Sequence, residues 1–293
     1  MPSILLVAGM HRSGTSALTR AINLAGVPLP SILMPASPEQ NADGFWESAD
    51  LWQIHEAILG SLKSGWNDPR EIPGDWFDSR AADDARGKLT GWIEKEMRGN
   101  DRLLVKDPRV CRFLPLWQGV CATLGIATYT VIPFRNPIEV ARSLKARDGF
   151  PEALSCFLWL RHVLDAERFS RGKPRVFASF DQLMGDGAGT VRRIGAELGL
   201  TFATPEPELR NRLGATLKPA LRHHVVTDDA IAEIARQIPP LLTTYRWMLD
   251  AAEGKAPPAD PLDDFIRLMR ASERARGAAI AMPGTNAAAT SAG

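Results

Sequence analysis

An excess of charge of one sign is missing from this chain: 35 Lys and Arg stand against 34 Asp and Glu, a formal net charge of +1. Nucleic acid is gripped by cations spread over a surface, so no nucleic-acid partner is expected; a small anion needs only a local cluster of donors. Cysteine is scarce as well. Cys111, Cys121 and Cys156 are odd in number and lack the paired spacing of a metal site, which points to buried, reduced thiols and to no metal cofactor. No stretch approaches the ~18 apolar residues needed to cross a membrane. The N-terminal apolar run Ile4 to Ala8 is short and has no basic flank, which argues against a signal peptide and makes the cytoplasm the expected location.

What is present suits an ordinary globular protein, with 45% apolar and 24% charged residues over 293 positions. Such a length can bury a sizeable core. Ile4 to Ala8 is apolar at every position, as in a parallel strand covered on both faces, and a glycine-containing turn and a helix from Thr15 to Gly26 follow it. Val27 to Asn41, with four prolines, is expected to be a loop, Gly44 to Gly60 a helix, and Trp66 to Asp78 irregular. Ala82 to Met97 carries Ala85, Leu89, Trp92, Ile93 and Met97 on one helical stripe. Further strands are expected at Leu103–Lys106, Tyr129–Phe134 and Val176–Ser179. Between and after them come helices at Glu139–Ala146, Glu152–Arg171 and Thr190–Leu198. Beyond Pro205 the pattern is mostly helical, with Ile231, Ile234 and Ile238 at helix spacing. Strands alternating with helices imply an α/β fold, a P-loop-type three-layer sandwich around a mainly parallel sheet of four or five strands. No linker divides residues 1–276. Residues 277–293, small and nearly uncharged, are expected to form a disordered tail.

The segment Gly9-Met10-His11-Arg12-Ser13-Gly14-Thr15-Ser16 has the frame of a phosphate-binding loop between strand and helix. Backbone N–H groups converge in such a turn and the helix N-terminus adds its unpaired donors. Arg12 adds charge; Ser13, Thr15 and Ser16 add hydroxyls. A nucleoside-triphosphate enzyme needs Lys at position 15 to reach the terminal phosphates, followed by a magnesium-holding hydroxyl. Here the residue is Thr15, which suits a single phosphate ester better than a triphosphate and its metal.

An apolar strand entering Arg12-Ser13-Gly14-Thr15-Ser16 resembles the 5′-phosphosulfate loop of sulfotransferases that use 3′-phosphoadenosine-5′-phosphosulfate (PAPS). That resemblance implies a second anion site, for the 3′-phosphate. The run Val131 to Ser143 supplies a candidate: a strand ending at Arg135, Asn136 as helix cap, Pro137 at the first helical position, and Ser143 on the helix. Arg135 with a Ser eight positions on is similar to the family's 3′-phosphate motif. The cofactor-binding residues implied are His11, Arg12, Ser13, Gly14, Thr15, Ser16, Arg135 and Ser143. For His11 the backbone donors beside it would suffice without its ring.

The acceptor-side segment Pro38 to Glu47 is similar to that of bacterial and carbohydrate sulfotransferases, in which a Glu beside paired aromatics serves as base. Glu47 is the first choice here, ahead of Asp43 and Glu39, although some relatives place the Glu before the aromatic pair. Leu103 to Arg109 resembles the Lys-Asp-Pro-Arg stretch of bacterial members. Lys106 is the candidate to reach the sulfuryl oxygens and Asp107 a rival base, with a structural Asp107–Arg109 arrangement the alternative. No His follows Lys106 closely, so the His mechanism of the cytosolic small-molecule enzymes does not carry over. His223 and His224 beside Arg222 suit a solvated basic turn or a place near the nucleotide. Trp46, Trp52 and Trp66 lie in acceptor-side segments, where core packing or stacking on a sugar are the two readings. The function implied is sulfuryl transfer from PAPS to a hydroxyl of a carbohydrate, glycolipid or small metabolite. The alternatives are a P-loop kinase using ATP and magnesium, and a non-catalytic nucleotide-binding protein.

Overall fold

A computed structural model describes residues 1–37, 44–217, 226 and 228–281. Four strands form one sheet: β1 (Ser3–Val7), β2 (Arg102–Lys106), β3 (Ala127–Phe134) and β4 (Arg175–Ser179), in the order β2-β1-β3-β4 and all parallel. All five residues of β1 are buried, because helices cover both faces of the sheet and leave no solvated side for polar alternation. The sequence reading of an α/β sandwich with a parallel sheet therefore holds, with four strands.

One face is covered by α1 (Thr15–Leu24), α8 (Gly187–Leu198) and α9 (Glu206–Thr216), the other by α4 (Val110–Thr123), α6 (Glu152–Ser170) and α11 (Pro239–Ala252). Leu18 and Ile22 of α1 meet Leu5, Leu104 and Val131 from the sheet and Val191 and Ile194 from α8 in one apolar cluster. Outside this sandwich, α2 (Ala49–Ser61) packs on α3 (Arg80–Glu96), which packs on α4. The helix following β3, α5 (Pro137–Asp148), lies against α6. Its start is as expected: the Asn136 side chain accepts from Ile138 N–H at 3.0 Å, and Pro137 sits at the first position. Short α7 (Phe180–Gly185) follows β4 directly, opened by a capping box between Ser179 and Gln182, and α10 (Asp228–Ala235) precedes α11.

Several helix boundaries differ from the sequence reading, among them α8, which starts at Gly187 and not at the expected Thr190. The helix expected over Gly44–Gly60 begins only at Ala49, since Gly44 and Trp46 hold positive φ (97° and 58°) and Ser48 is the cap. Ile238 lies outside α10, flanking Pro239 at the start of α11. The contacts divide the chain into Met1–Pro257 and Pro258–Gly293, the break falling at a Pro257-Pro258 pair that cannot continue a helix. In the second unit α12 (Asp260–Ala281) runs past the expected tail boundary at 277, and 282–293 lie outside the described residues. The three cysteines are free and buried, and burial pushes the Cys121 and Cys156 thiols up to about 12. Among the described residues no helix is long and apolar enough to cross a membrane.

A buried ionic cluster lies against the irregular stretch at residues 68–70. Arg112 of α4 pairs with Asp165 of α6 at 2.8 Å, and Arg161 reaches the same carboxylate at 3.4 Å. The two guanidinium groups also donate to backbone carbonyls of the irregular stretch: Arg112 to Asp68 (3.0 Å) and Arg70 (2.5 Å), Arg161 to Pro69 (2.9 Å). A loop without secondary structure thus has its carbonyls satisfied by side chains. Asp165→Ala should cost about 3–5 kcal/mol, because it strands two buried cations. Urea unfolding checks this, and a loss below about 1 kcal/mol would contradict the role given to Asp165.

Candidate active site

Parallel strands bring their C-terminal ends to one edge. Val7 is in register with Lys106 on one side and Val131 on the other. β3 runs on to Phe134, which pairs with Ser179 at the end of β4. The loop after β1 must therefore pass alongside the last turn of β3. It does so closely: a Cβ at Gly9 would stand 2.6 Å from the Pro133 carbonyl oxygen. A Cβ at Gly14, which has φ 80°, would stand 2.4 Å from Phe180. Both glycines of the frame are required by close approach, the second also by its left-handed backbone.

Within the loop Arg12 also takes a left-handed conformation, φ 66°, so consecutive side chains diverge. The Arg12 Nε donates to Ser143 Oγ at 2.7 Å, joining the loop to α5. Burial first, then the guanidinium groups of Arg147 and Arg135, pull Arg12 below the ordinary arginine range. Arg135, buried at the end of β3, donates to Glu139 at 2.6 Å and lies over the Phe180 ring, 4.6 Å from its centroid. Glu139 in turn accepts from Val226 N–H at 3.1 Å. Ser13 is fully buried, and its Oγ has no hydrogen-bond partner among the described residues. No side chain caps α1, which starts at Thr15 after Gly14. An unfilled buried hydroxyl beside an uncapped helix start is where an anion's oxygens would be received.

Across the cleft, Lys106 ends β2 buried. Its Nζ donates to Glu47 Oε1 (2.5 Å), the Phe45 carbonyl (2.9 Å) and Ser16 Oγ (3.3 Å). Lys106 thus ties the segment at Phe45 and Glu47 to Ser16 at the start of α1 with all three of its donors. Glu47 is buried just ahead of the Ser48 cap and does not itself cap the helix; burial holds its carboxyl above the usual range, against the opposing effect of Lys106. Asp43 and Glu39 lie outside the described residues, as do Arg222, His223 and His224.

Asp107 is committed elsewhere. Its Oδ1 accepts from Arg109 N–H (2.8 Å) and Nη1 (3.0 Å), and its Oδ2 faces His55 Nδ1 at 3.0 Å. Trp117 Nε1, which can only donate, points at His55 Nε2 from 3.2 Å. Nε2 must then offer a lone pair, and Nδ1 carries the proton given to Asp107. Burial alone would raise this carboxyl, but Arg109 and His55 hold it well below the carboxylate range. The Asp107–Arg109 pair is formed, and such a carboxylate is a poor proton acceptor. Arg109, anchored also to Glu56 at 2.6 Å, reaches 3.9 Å from Glu47.

The cleft between these groups measures about 230 Å³ and is lined by His11, Arg12, Thr15 and Ser16 of the loop, Glu47, Lys106 and Arg109, with Trp52, Trp66 and Arg147 at its walls. Of the residues singled out from the sequence, His11, Arg12, Thr15, Ser16, Glu47 and Lys106 line the cleft, Ser143 and Asp107 bond to Arg12 and Arg109 of its lining, and Ser13, Gly14 and Arg135 are not part of that lining. Arg147, one turn beyond Ser143 on α5, was not foreseen, although its i+4 spacing was a usable signal. His55 gave none, being 52 residues from its partner.

No family model matches the chain, and no curated protein matches it. Among solved structures it is similar to the sulfotransferase domain of the Synechococcus PCC 7002 olefin synthase, at 16% identity and TM-score 0.46 over 93% of this chain and 94% of that one. It is also similar to sulfotransferase STF1 from Mycobacterium tuberculosis H37Rv, at 17% identity and TM-score 0.43 over 79% and 75%. A third is a sulfotransferase from Alicyclobacillus acidocaldarius, at 18% and TM-score 0.37 over 77% and 97%.

The pairing of Asp107 gives a pH prediction. Its folded pKa lies below its unfolded value, so its stabilisation is full above about pH 4 and is lost as pH falls below that. Asp107→Asn should destabilise the protein by about 3 kcal/mol at pH 7, and the gap from wild type should narrow in acid. Denaturant titrations at pH 7 and pH 3.5 check this; a gap that widens in acid would contradict it.

Proposed function

We propose that the chain is a PAPS-dependent sulfotransferase acting on a hydroxyl acceptor. The observation that carries this reading is the Arg12–Ser143 hydrogen bond of 2.7 Å, which joins the loop suited to a phosphosulfate to the helix that starts beside Arg135. Two anion stations side by side suit a nucleotide with phosphates at both 3′ and 5′ positions better than a linear triphosphate. The unpartnered Ser13 Oγ supports a phosphate oxygen at the first station.

In this reading the acceptor oxygen attacks sulfur in line, a new S–O bond forms, and the S–O bond to the 5′-phosphate breaks. 3′-Phosphoadenosine-5′-phosphate leaves with the electron pair. The acceptor's proton passes to Glu47, whose raised pKa favours taking it up. Lys106 and Arg109, fixed beforehand by buried carboxylates, offset charge on the sulfuryl and bridging oxygens. Asp107 serves by holding Arg109 and takes no proton.

Calorimetric titration with 3′-phosphoadenosine-5′-phosphate, set beside ATP with magnesium, tests the reading. Micromolar binding of the bisphosphate, at least about tenfold weaker in Arg135→Ala (~1.4 kcal/mol), is expected. Tight ATP–magnesium binding indifferent to a 3′-phosphate would replace it with a kinase reading. Glu47→Gln should bind the bisphosphate normally and lose about 10²-fold in PAPS turnover. Retained turnover would remove Glu47 as the base.

A further inference from the structure

His11 is a loop residue that phosphate binding leaves without a task. Its Nε2 is buried and has no hydrogen-bond partner among the described residues, a costly state for a buried polar atom. His11 and Arg12 both line the cleft but have different nearest partners, with Arg147, which lies over Trp66, close to both. Arg12 goes to Ser143 and is influenced by Arg147 and Arg135. His11 goes to Trp66, ring centroids 4.4 Å apart, and its strongest charged neighbour is Arg109, which stands just ahead of α4. Burial, then Arg109 and Arg147, hold the imidazole well below its ordinary range, so the ring is neutral. A neutral ring nitrogen suits a hydroxyl in either tautomer, whereas a phosphate or sulfate oxygen, which only accepts, suits one tautomer alone.

The same cleft holds Glu47, the proposed recipient of the reacting hydroxyl's proton. An alcohol has a single proton to give, so a hydrogen bond donated to His11 must come from another group on the acceptor. Trp52 stands at the wall 37% exposed, unusual for so large a ring and suited to the C–H face of a carbon skeleton.

We propose that His11 is an acceptor-recognition residue whose Nε2 hydrogen-bonds a second hydroxyl beside the one that reacts, so that the cleft selects vicinal diols over isolated alcohols. The inference rests on the sulfotransferase reading and assigns His11 to the acceptor instead of the nucleotide. A site built to pair with a hydroxyl rejects the analogue that lacks it, because its own polar group is left unpaired.

The test uses PAPS with trans-1,2-cyclohexanediol or cyclohexanol as probe, reading release of the bisphosphate. Wild type should favour the diol by about 10-fold or more in kcat/KM. His11→Phe keeps a ring against Trp66 and should bring the ratio to about 1, while bisphosphate affinity stays within about threefold. His11→Asn, which keeps a hydrogen-bonding group, should retain part of the preference. The absence of any preference in wild type, including no turnover with both probes, overturns the proposal. So does a loss of bisphosphate affinity in His11→Phe as large as that in Arg12→Ala, which would make His11 a phosphate ligand. A wild type that fails to bind the bisphosphate brings down the sulfotransferase reading first, and calorimetry shows that before any alcohol is added.

Discussion

The bond from Arg12 to Ser143 depends on a single constraint, the parallel register that lets β3 outrun β1. Because β3 extends past the level of Val7, the loop after β1 has a wall to lie against. It can lie there only with no side chain at Gly9, whose Cβ would press on Pro133. Once the loop is seated, Arg12 meets α5 and the first turn of α1 faces the same cavity. Ligand sites in open parallel sheets gather at this edge for that reason. Here β2 delivers Lys106 and Asp107 to the edge from one side, and β3 delivers Arg135 from the other.

Charge in this site is arranged in two ways. On the α5 side, Arg12 lies under the influence of Arg147 and Arg135, each of which also has a carboxylate of its own in Asp148 and Glu139. On the β2 side, cations are matched to carboxylates, Lys106 to Glu47 and Arg109 to Asp107 and Glu56. Cations held by carboxylates keep their geometry whether or not a ligand is present, and three guanidinium groups close together on the α5 side add a local excess of positive charge.

The parts legible in the sequence were those written in local pattern. The wholly apolar β1, the glycine frame of the loop, and the Asn136-Pro137 start of α5 each follow from neighbouring residues. Helix α2 was read as starting too early, because Gly44 to Ser48 has a helix-like composition while its backbone is bent by positive φ at Gly44 and Trp46. Helix α4 carries Pro115 internally, which breaks the usual helix pattern. Pairings over long separation left no trace: His55 with Asp107, or Arg161 with the Pro69 carbonyl. In those cases the partners are set by how helices pack, and no residue type on its own announces them.

The clamp on the loop at 68–70 grips carbonyl oxygens, which every amino acid supplies. Side chains along that wall can therefore change over generations without loosening their anchorage, since Arg112 and Arg161 hold the main chain whatever it bears. A main chain held independently of its side chains is a favourable place to vary surface residues, and substitutions at Pro69 and Arg70 would leave the foundation beside Trp66 unchanged.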